Sequence, residues 1–284
     1  MIDEDTTALI ATYIAETAAN ITQALESIYS QSLTPAEVVI VIDGPIDQGQ
    51  KDVIASFVSR PSPIITKVVT LDHQQGLAAA LNAGLAHCTR RYVMRMDSDD
   101  ICHPQRLLHQ AAVARSHPEF DVIASWAGEF IDGEDWSFAV KEAPGGHDEI
   151  LRALKWRNVL CHPSVLMRRE AVMAVGGYRI TVGRLEDYDL FVRMAVHGAR
   201  FHVIPRSLVY VRVTADQRRR RGGIRHLVHD LRFRFDCRRR GFLTWRECLV
   251  SAGAYTVFRL IPAAVRGRLY QLVRTPQASA LARP

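Results

Sequence analysis

The chain has 284 residues, of which 48% are hydrophobic and 23% charged, which suits one large or two small globular domains and excludes a disordered or fibrous chain. Its net charge of +6 hides an asymmetry: residues 206–284 hold 18 arginines, no lysine and four carboxylates, a net of +14 that leaves −8 for the rest. Five cysteines without a C-x-x-C pair and an acidic start, MIDEDTTALI, argue against a thiolate metal site and a secretory leader, and a cytoplasmic location is expected.

In chain order, TALIATY (7–13) reads as a strand, 20–31 as a helix, EVVIVID (37–43) as a strand and the stretch to about residue 60 as a second helix. IITKVVTLD (64–72), the Ala-rich helix GLAAALNAGLAHC (76–88) and the strand RYVMRMD (91–97) follow. This βαβαβαβ order predicts an α/β fold, a Rossmann-like, mostly parallel sheet with helices on both faces. Ligands of such sheets bind beyond the carboxyl ends of the strands, where Tyr13, Asp43, Asp72 and Asp97 all fall and are expected to converge.

From about residue 104 the pattern changes to a helix QRLLHQAAVARS, the strand VIASW, the turn-rich FIDGEDWSF and a helix near 147–155, which together predict a smaller antiparallel lobe on the acceptor side. HPSVLMRRE, the turn GGY and a helix LEDYDLFVRMAVHG with Leu190, Phe191 and Met194 on one face come next, and two short strands, FHVIP and LVYVRV, close the globular part near residue 213. Beyond lies a basic helical extension, 214–284, whose longest uncharged run, 248–258, is far below the ~20 residues needed to cross a bilayer. Its Trp245, Leu249, Tyr255 and Phe258 among arginines suit either a helix in an anionic lipid interface or a helix packed on the body with a solvated Arg face.

Three carboxylates, Asp97, Asp99 and Asp100, follow the fourth strand directly. Like charges this close raise one another's pKa, so the cluster reads either as a site for a hard cation, Mg²⁺ or Mn²⁺, or as a solvated acidic loop. The basic extension seeks phosphate in some form, and its charge does not choose among nucleic acid, anionic lipid and a phosphorylated substrate.

NITQALESIYSQSLTPAEVVIVIDGP, QQGLAAALNAGLAHC, YVMRMDSDDICHPQRL, NVLCHPSVLMRR, GGY and LEDYDLFVRM together resemble the family 2 glycosyltransferases of GT-A fold, in particular bacterial enzymes of capsule, exopolysaccharide and O-antigen synthesis. The resemblance implies an inverting, metal-dependent hexosyltransferase with a UDP-sugar donor. It further implies a polyprenyl-diphosphate-linked oligosaccharide acceptor at the cytoplasmic leaflet, with the enzyme peripheral on that membrane, and no nucleic-acid partner. Residues 1–213 form the GT-A domain, with the nucleotide part at about 7–103 and the acceptor part at about 104–213.

The resemblance makes Asp99 the direct metal ligand, Asp97 a shared ligand or a contact to the donor ribose or sugar, and Asp100 a support for the loop. It gives Asp43, with Ile42 where relatives carry a first Asp, to the uracil, and puts Tyr13 and Asp72 beside the base. Asp187 matches the catalytic base, with Glu186, His162 and Arg219 as candidate acceptor or phosphate contacts; a structural histidine fixing its loop is the better reading of His162 by itself. Gly76, Asn82 and Gly84 match a family pattern, and close helix-to-sheet packing explains the glycines. Two rivals compete: a sugar nucleotidyltransferase, which needs a Gly-rich basic loop that ATYIAETAAN lacks, and a nucleic-acid-binding module, for which Phe233 and Phe235 are the base-stacking aromatics among the arginines. An inactive relative retaining the fold is the third alternative.

Overall fold

The computed structural model describes residues 1–131, 139–213 and 224–260. Among the described residues nine strands form one sheet: β1 (Ile2–Thr12), β2 (Thr34–Asp43), β3 (Ile65–Leu71), β4 (Tyr92–Asp97), β5 (Ile101–Cys102), β6 (Val122–Phe130), β7 (Ala139–Lys141), β8 (Leu166–Arg168) and β9 (Phe201–Arg212). Their order is β3-β2-β1-β4-β8-β6-β9-β5, with β7 paired to β6. The first four are parallel, as the alternation of patterns predicts. Crossover helices α1 (Ala18–Tyr29), α2 (Gln48–Val58) and α3 (Leu77–His87) join them. Thr17 caps α1 by accepting the Asn20 N–H at 3.1 Å, and Asp47 and Gln50 form a reciprocal capping box on α2.

Three expectations change. The first strand starts at Ile2 rather than Thr7, because the polar segment at its start pairs with β2 across a register shift and buries Asp3 against the Thr6 hydroxyl. The antiparallel pairing expected after residue 104 is there, β8 with β4 and β6, β7 with β6 and β5 with β9, but it continues the central sheet. β8 runs antiparallel between β4 and β6, and β6 and β9 then continue the sheet in parallel, so donor and acceptor sides share one sheet. FHVIP and LVYVRV are one strand, β9, carrying a bulge at Pro205 and Arg206, where a residue without an N–H interrupts the ladder.

Helices α4 (Arg106–Ser116), α5 (His147–Leu154), α6 (Arg169–Ala174) and α7 (Glu186–Val196) pack on this sheet, and α8 (Ile224–Arg239) and α9 (Trp245–Leu260) follow it. Gly84 on α3 marks the tightest approach: a Cβ there would stand 2.3 Å from Leu9 Cδ1 and 2.7 Å from Val41 Cγ2. Gly76 serves differently. Its φ of +92° turns the chain into α3, and a Cβ would meet nothing within 4 Å. The inner faces of α8 and α9 bury Phe233, Cys237, Leu243 and Cys248 in the same cluster as Leu9, Val93 and Phe191. This half of the basic extension is therefore packed on the body, and Phe233 is closed to base stacking. All five cysteines are free and buried.

Candidate active site

The carboxyl ends of the parallel strands lie along one edge of the sheet, and the acidic cluster follows the end of β4 directly. One carboxylate oxygen from each of Asp97, Asp99 and Asp100 lies within 4.8 Å of the others. Arg95, two residues earlier on β4 and 1% exposed, donates from both terminal nitrogens to the two oxygens of Asp97, at 2.8 Å to Oδ2. From the far side Arg212, at the end of β9, donates its backbone N–H to Asp100 Oδ1 at 2.9 Å and Nε–H to the Asp99 carbonyl at 2.9 Å. A third buried arginine, Arg106, donates to the Arg95 carbonyl at 2.9 Å and fixes the strand from below.

Two guanidiniums do not neutralise three carboxylates and their neighbours. Burial, then repulsion from Asp97, lifts the Asp99 carboxyl to about 7, and burial lifts Asp100 well above the ordinary carboxylate range. Asp100 Oδ2 is buried without a hydrogen-bond partner. Such an orphan lone pair beside two further carboxylate oxygens fits a hard, oxygen-seeking divalent cation. Asp99 and Asp100 are the free donors, whereas both oxygens of Asp97 already receive Arg95. Asp100, expected merely to support its loop, is the most buried of the three.

On the nucleotide side Asp43 ends β2, and its oxygens accept the N–H groups of Gln75 at 2.7 Å and Gly76 at 2.8 Å. The carboxylate thus clamps the loop into α3. Gly44 next to it, at φ +83°, lies so close that a Cβ would stand 2.5 Å from the Gln74 nitrogen. Tyr13, just after β1, is 40% exposed, and Asp72, just after β3, is also exposed. All four strand-end residues therefore lie at the same edge of the sheet. Thr12 adds to them with a buried hydroxyl that has no partner.

Helix α7 begins with Glu186 and Asp187, its acidic first turn facing the N-terminal dipole. Asp187 Oδ2 accepts from Asn158 Nδ2 at 2.7 Å and Oδ1 from the Tyr188 N–H at 2.7 Å, while burial raises its pKa. Glu186 is pushed to about 7 by burial and then by Asp187, with Asp97 adding a smaller push. Its Oε2 is buried without a partner.

His162 lies in a 3-10 turn, His162–Ser164, 7% exposed, with Nε2 at 2.8 Å from the Tyr178 hydroxyl; burial drives its pKa well below 6.5, so it is a neutral, packed ring. The structural role is the one its surroundings support. Asn82 latches the GGY turn from α3, donating to the Tyr178 carbonyl at 2.7 Å and accepting its N–H at 2.8 Å. Arg219 lies outside the described residues.

The expected site thus omitted Arg95, Asn158, Tyr178 and Arg212. Arg95 left a trace in the sequence, an arginine inside the apolar strand YVMRMD, since a buried charge requires a partner. The others are linked to the site by contacts between residues 29 to 112 positions apart.

Residues 7–176 match the model of the family described as "Glycosyl transferase family 2". The chain is 32% identical over 266 residues to the amylovoran biosynthesis glycosyltransferase AmsE of Erwinia amylovora, covering 93% of this chain and 97% of AmsE. It is 29% identical over 265 residues to the UDP-Gal:alpha-D-GlcNAc-diphosphoundecaprenol beta-1,3-galactosyltransferase of Escherichia coli, covering 93% and 94% of the two chains. Among solved structures, Staphylococcus aureus TarS 1-349 in complex with UDP-GlcNAc superposes with a TM-score of 0.62 at 17% identity, over 81% of this chain and 66% of that one. The mannosyltransferase PcManGT of Pyrobaculum calidifontis, in complex with GDP-Man and Mn²⁺, gives 0.61 at 17% identity, over 95% and 80%.

Proposed function

The chain belongs to glycosyl transferase family 2, and we propose that it is an inverting hexosyltransferase that moves a sugar from a UDP-sugar to a polyprenyl-diphosphate-linked oligosaccharide during bacterial surface polysaccharide synthesis. One observation carries the chemistry: a carboxylate cluster with the donor set for a hard cation lies close enough to a second carboxylate pair of raised pKa for Asp97 to add to the push on Glu186. The similarity to an enzyme named for a UDP-Gal donor and a diphosphoundecaprenol acceptor supports the choice of substrates. It also supports work at the cytoplasmic face of the membrane.

Asp99 and Asp100 would hold Mg²⁺ or Mn²⁺, with Asp97 kept in place by Arg95 to meet the donor ribose or sugar or to share the ion. A bound divalent ion supplies Lewis-acid stabilisation of the charge that develops on the departing diphosphate. Tyr13, Asp43, Asp72 and Thr12 line the place of the uridine; Asp43 contributes by shaping the 73–76 loop as much as by direct contact. Asp187, held in a single orientation by Asn158 and its own backbone, takes the proton of the attacking hydroxyl, and burial gives it the raised basicity that a general base requires. A second assignment has its own support: Glu186 has the unpartnered oxygen and a pKa of about 7. In that case Asp187 orients it. Attack from the face opposite the leaving UDP inverts the anomeric centre.

A panel of UDP-sugars with Mn²⁺, with and without EDTA and a diphosphate-linked acceptor, tests this reading. Donor-selective, EDTA-sensitive UDP release that increases with acceptor is expected. Indifference to every UDP-sugar and to metal would refute it.

A further inference from the structure

Helix α9 shows two unlike faces. Inward, Cys248 and Ser251 are buried against α8 and the body. Outward lie Trp245 (57% exposed), Leu249 (60%), Val250 (60%), Ala254 and Val257 (62%), in adjacent rows four residues apart, with Arg246 the one charge among them. An outward helix face in a soluble body is ordinarily polar, and a contiguous apolar one marks a contact surface. We propose that this face docks on the anionic surface of a lipid bilayer and brings the acceptor-binding part of the protein to the headgroups. For the acceptor's identity this rests on the function proposed above; the docking itself does not.

The charge pattern selects the occupant. Every described carboxylate on α8 and α9 is buried or paired: Asp230 is 3% exposed, Asp236 accepts from Arg179 at 2.6 Å and Arg240 at 3.1 Å, and Glu247 accepts from Lys155 at 2.8 Å. Arg232, Arg239, Arg240 and Arg246 remain exposed. The guanidinium of Arg238 lies 5.1 Å from the Trp245 ring centre. Aromatic and aliphatic side chains bordered by cations, with no free acid, are the composition of an interfacial helix that meets anionic lipid. Two copies of such a face would bring like charges together, which disfavours a second chain as its partner. Among the described residues no helix is long and apolar enough to cross a membrane, so the contact is superficial.

The position is what a lipid-linked acceptor requires. The Lys155–Glu247 pair and the hydrogen bonds from Arg234 to the carbonyls of Lys155 and Trp156, at 2.9 and 3.0 Å, fasten the end of α5 to the helical pair. Trp156 is 45% exposed there. Two residues on, at most about 7 Å of chain, Asn158 holds Asp187. A sugar joined through diphosphate to an embedded chain stands just above the headgroups, and the end of α5 ties the residue that holds Asp187 to the docking helix pair.

The test uses the full chain with phosphatidylcholine vesicles with and without 30% phosphatidylglycerol, read by co-sedimentation and by quenching of tryptophan emission by nitroxide-labelled lipid. Binding at least about tenfold tighter to the anionic vesicles is expected, with quenching reduced in Trp245→Phe. The Leu249→Glu/Val250→Glu variant, altered at two exposed positions, is expected to bind at least about tenfold more weakly and to lose transfer to a vesicle-embedded acceptor while keeping transfer to a short-chain, water-soluble one. Absence of wild-type binding, equal binding by the variant, or a dimer in sedimentation velocity that the variant abolishes would each overturn the docking. Retained transfer to the soluble acceptor in those cases would leave the proposed function standing.

Discussion

Replacing Asp99 by Asn should stabilise the metal-free protein at alkaline pH while removing its response to metal. The Asp99 carboxyl is raised from 3.8 to about 7 by burial and by Asp97. A carboxyl raised on folding lends its stability fully below 3.8 and loses it as pH rises to 7, because the folded state resists giving up the proton that the unfolded state releases. At about 1.4 kcal/mol per unit the ceiling is about 4 kcal/mol. Asp97 and Asp100 share the repulsion and part of the group meets water, so about 2 kcal/mol is the working value. For a chain of this size that is a melting temperature roughly 4–8 °C higher for Asp99→Asn than for wild type at pH 8 without metal. At pH 4 the difference should shrink towards zero. Scanning calorimetry from pH 4 to 8, with EDTA or 1–10 mM Mn²⁺, is the measurement: the ion should raise the wild-type melting point at pH 8 and leave the variant unmoved. Equal melting points at pH 8, together with a wild type blind to Mn²⁺, would refute the electrostatic account of the cluster.

The carboxylates of α7 separate by kinetics. Asp187→Asn should lower kcat by about 10²–10⁴-fold with UDP affinity by calorimetry unchanged, and a comparable fall in Glu186→Gln with a weaker one in Asp187→Asn would move the base to Glu186. Because Glu186 is raised to about 7 and Asp187 is also raised, transfer should decline as pH falls below 7, and Glu186→Gln should move that limb to lower pH if Glu186 sets it. Arg95→Met strands Asp97 among other carboxylates and should cost about 3 kcal/mol in urea unfolding, part of which Mn²⁺ restores by returning positive charge. Gly84→Ala pushes a methyl into Leu9 and Val41 and should cost about 1–3 kcal/mol without altering the Mn²⁺ response.

Local pattern made much of this protein legible. The period-two and period-3.6 runs suffice for the βαβ alternation, and that order places Asp43, Asp72, Asp97 and Tyr13 at one edge through the handedness of crossovers. The motifs likewise pointed to the family. The course of the chain after residue 104 was not legible, since whether β8 inserts antiparallel between β4 and β6 depends on pairing among segments far apart in sequence. Pro205 looked like a strand end and proved to be a bulge, because β6 supports the backbone on both sides of it.

The tertiary structure alone decided the ranking within the acidic cluster. Asp97, Asp99 and Asp100 are equal as letters, but Arg95 occupies both oxygens of the first, the second meets water in part, and the third is closed over by Arg212 with one oxygen unpaired. Asn82, matched to a family pattern without a role, is the latch of the Tyr178 turn. The basic tail was ambiguous between packing on the body and facing lipid. Its helix α9 presents one face to the body and leaves the other apolar and exposed. Sequence sets which groups a chain carries and the local period at which they recur; burial and the partner across the fold set their charge, and those exist only once distant segments have packed.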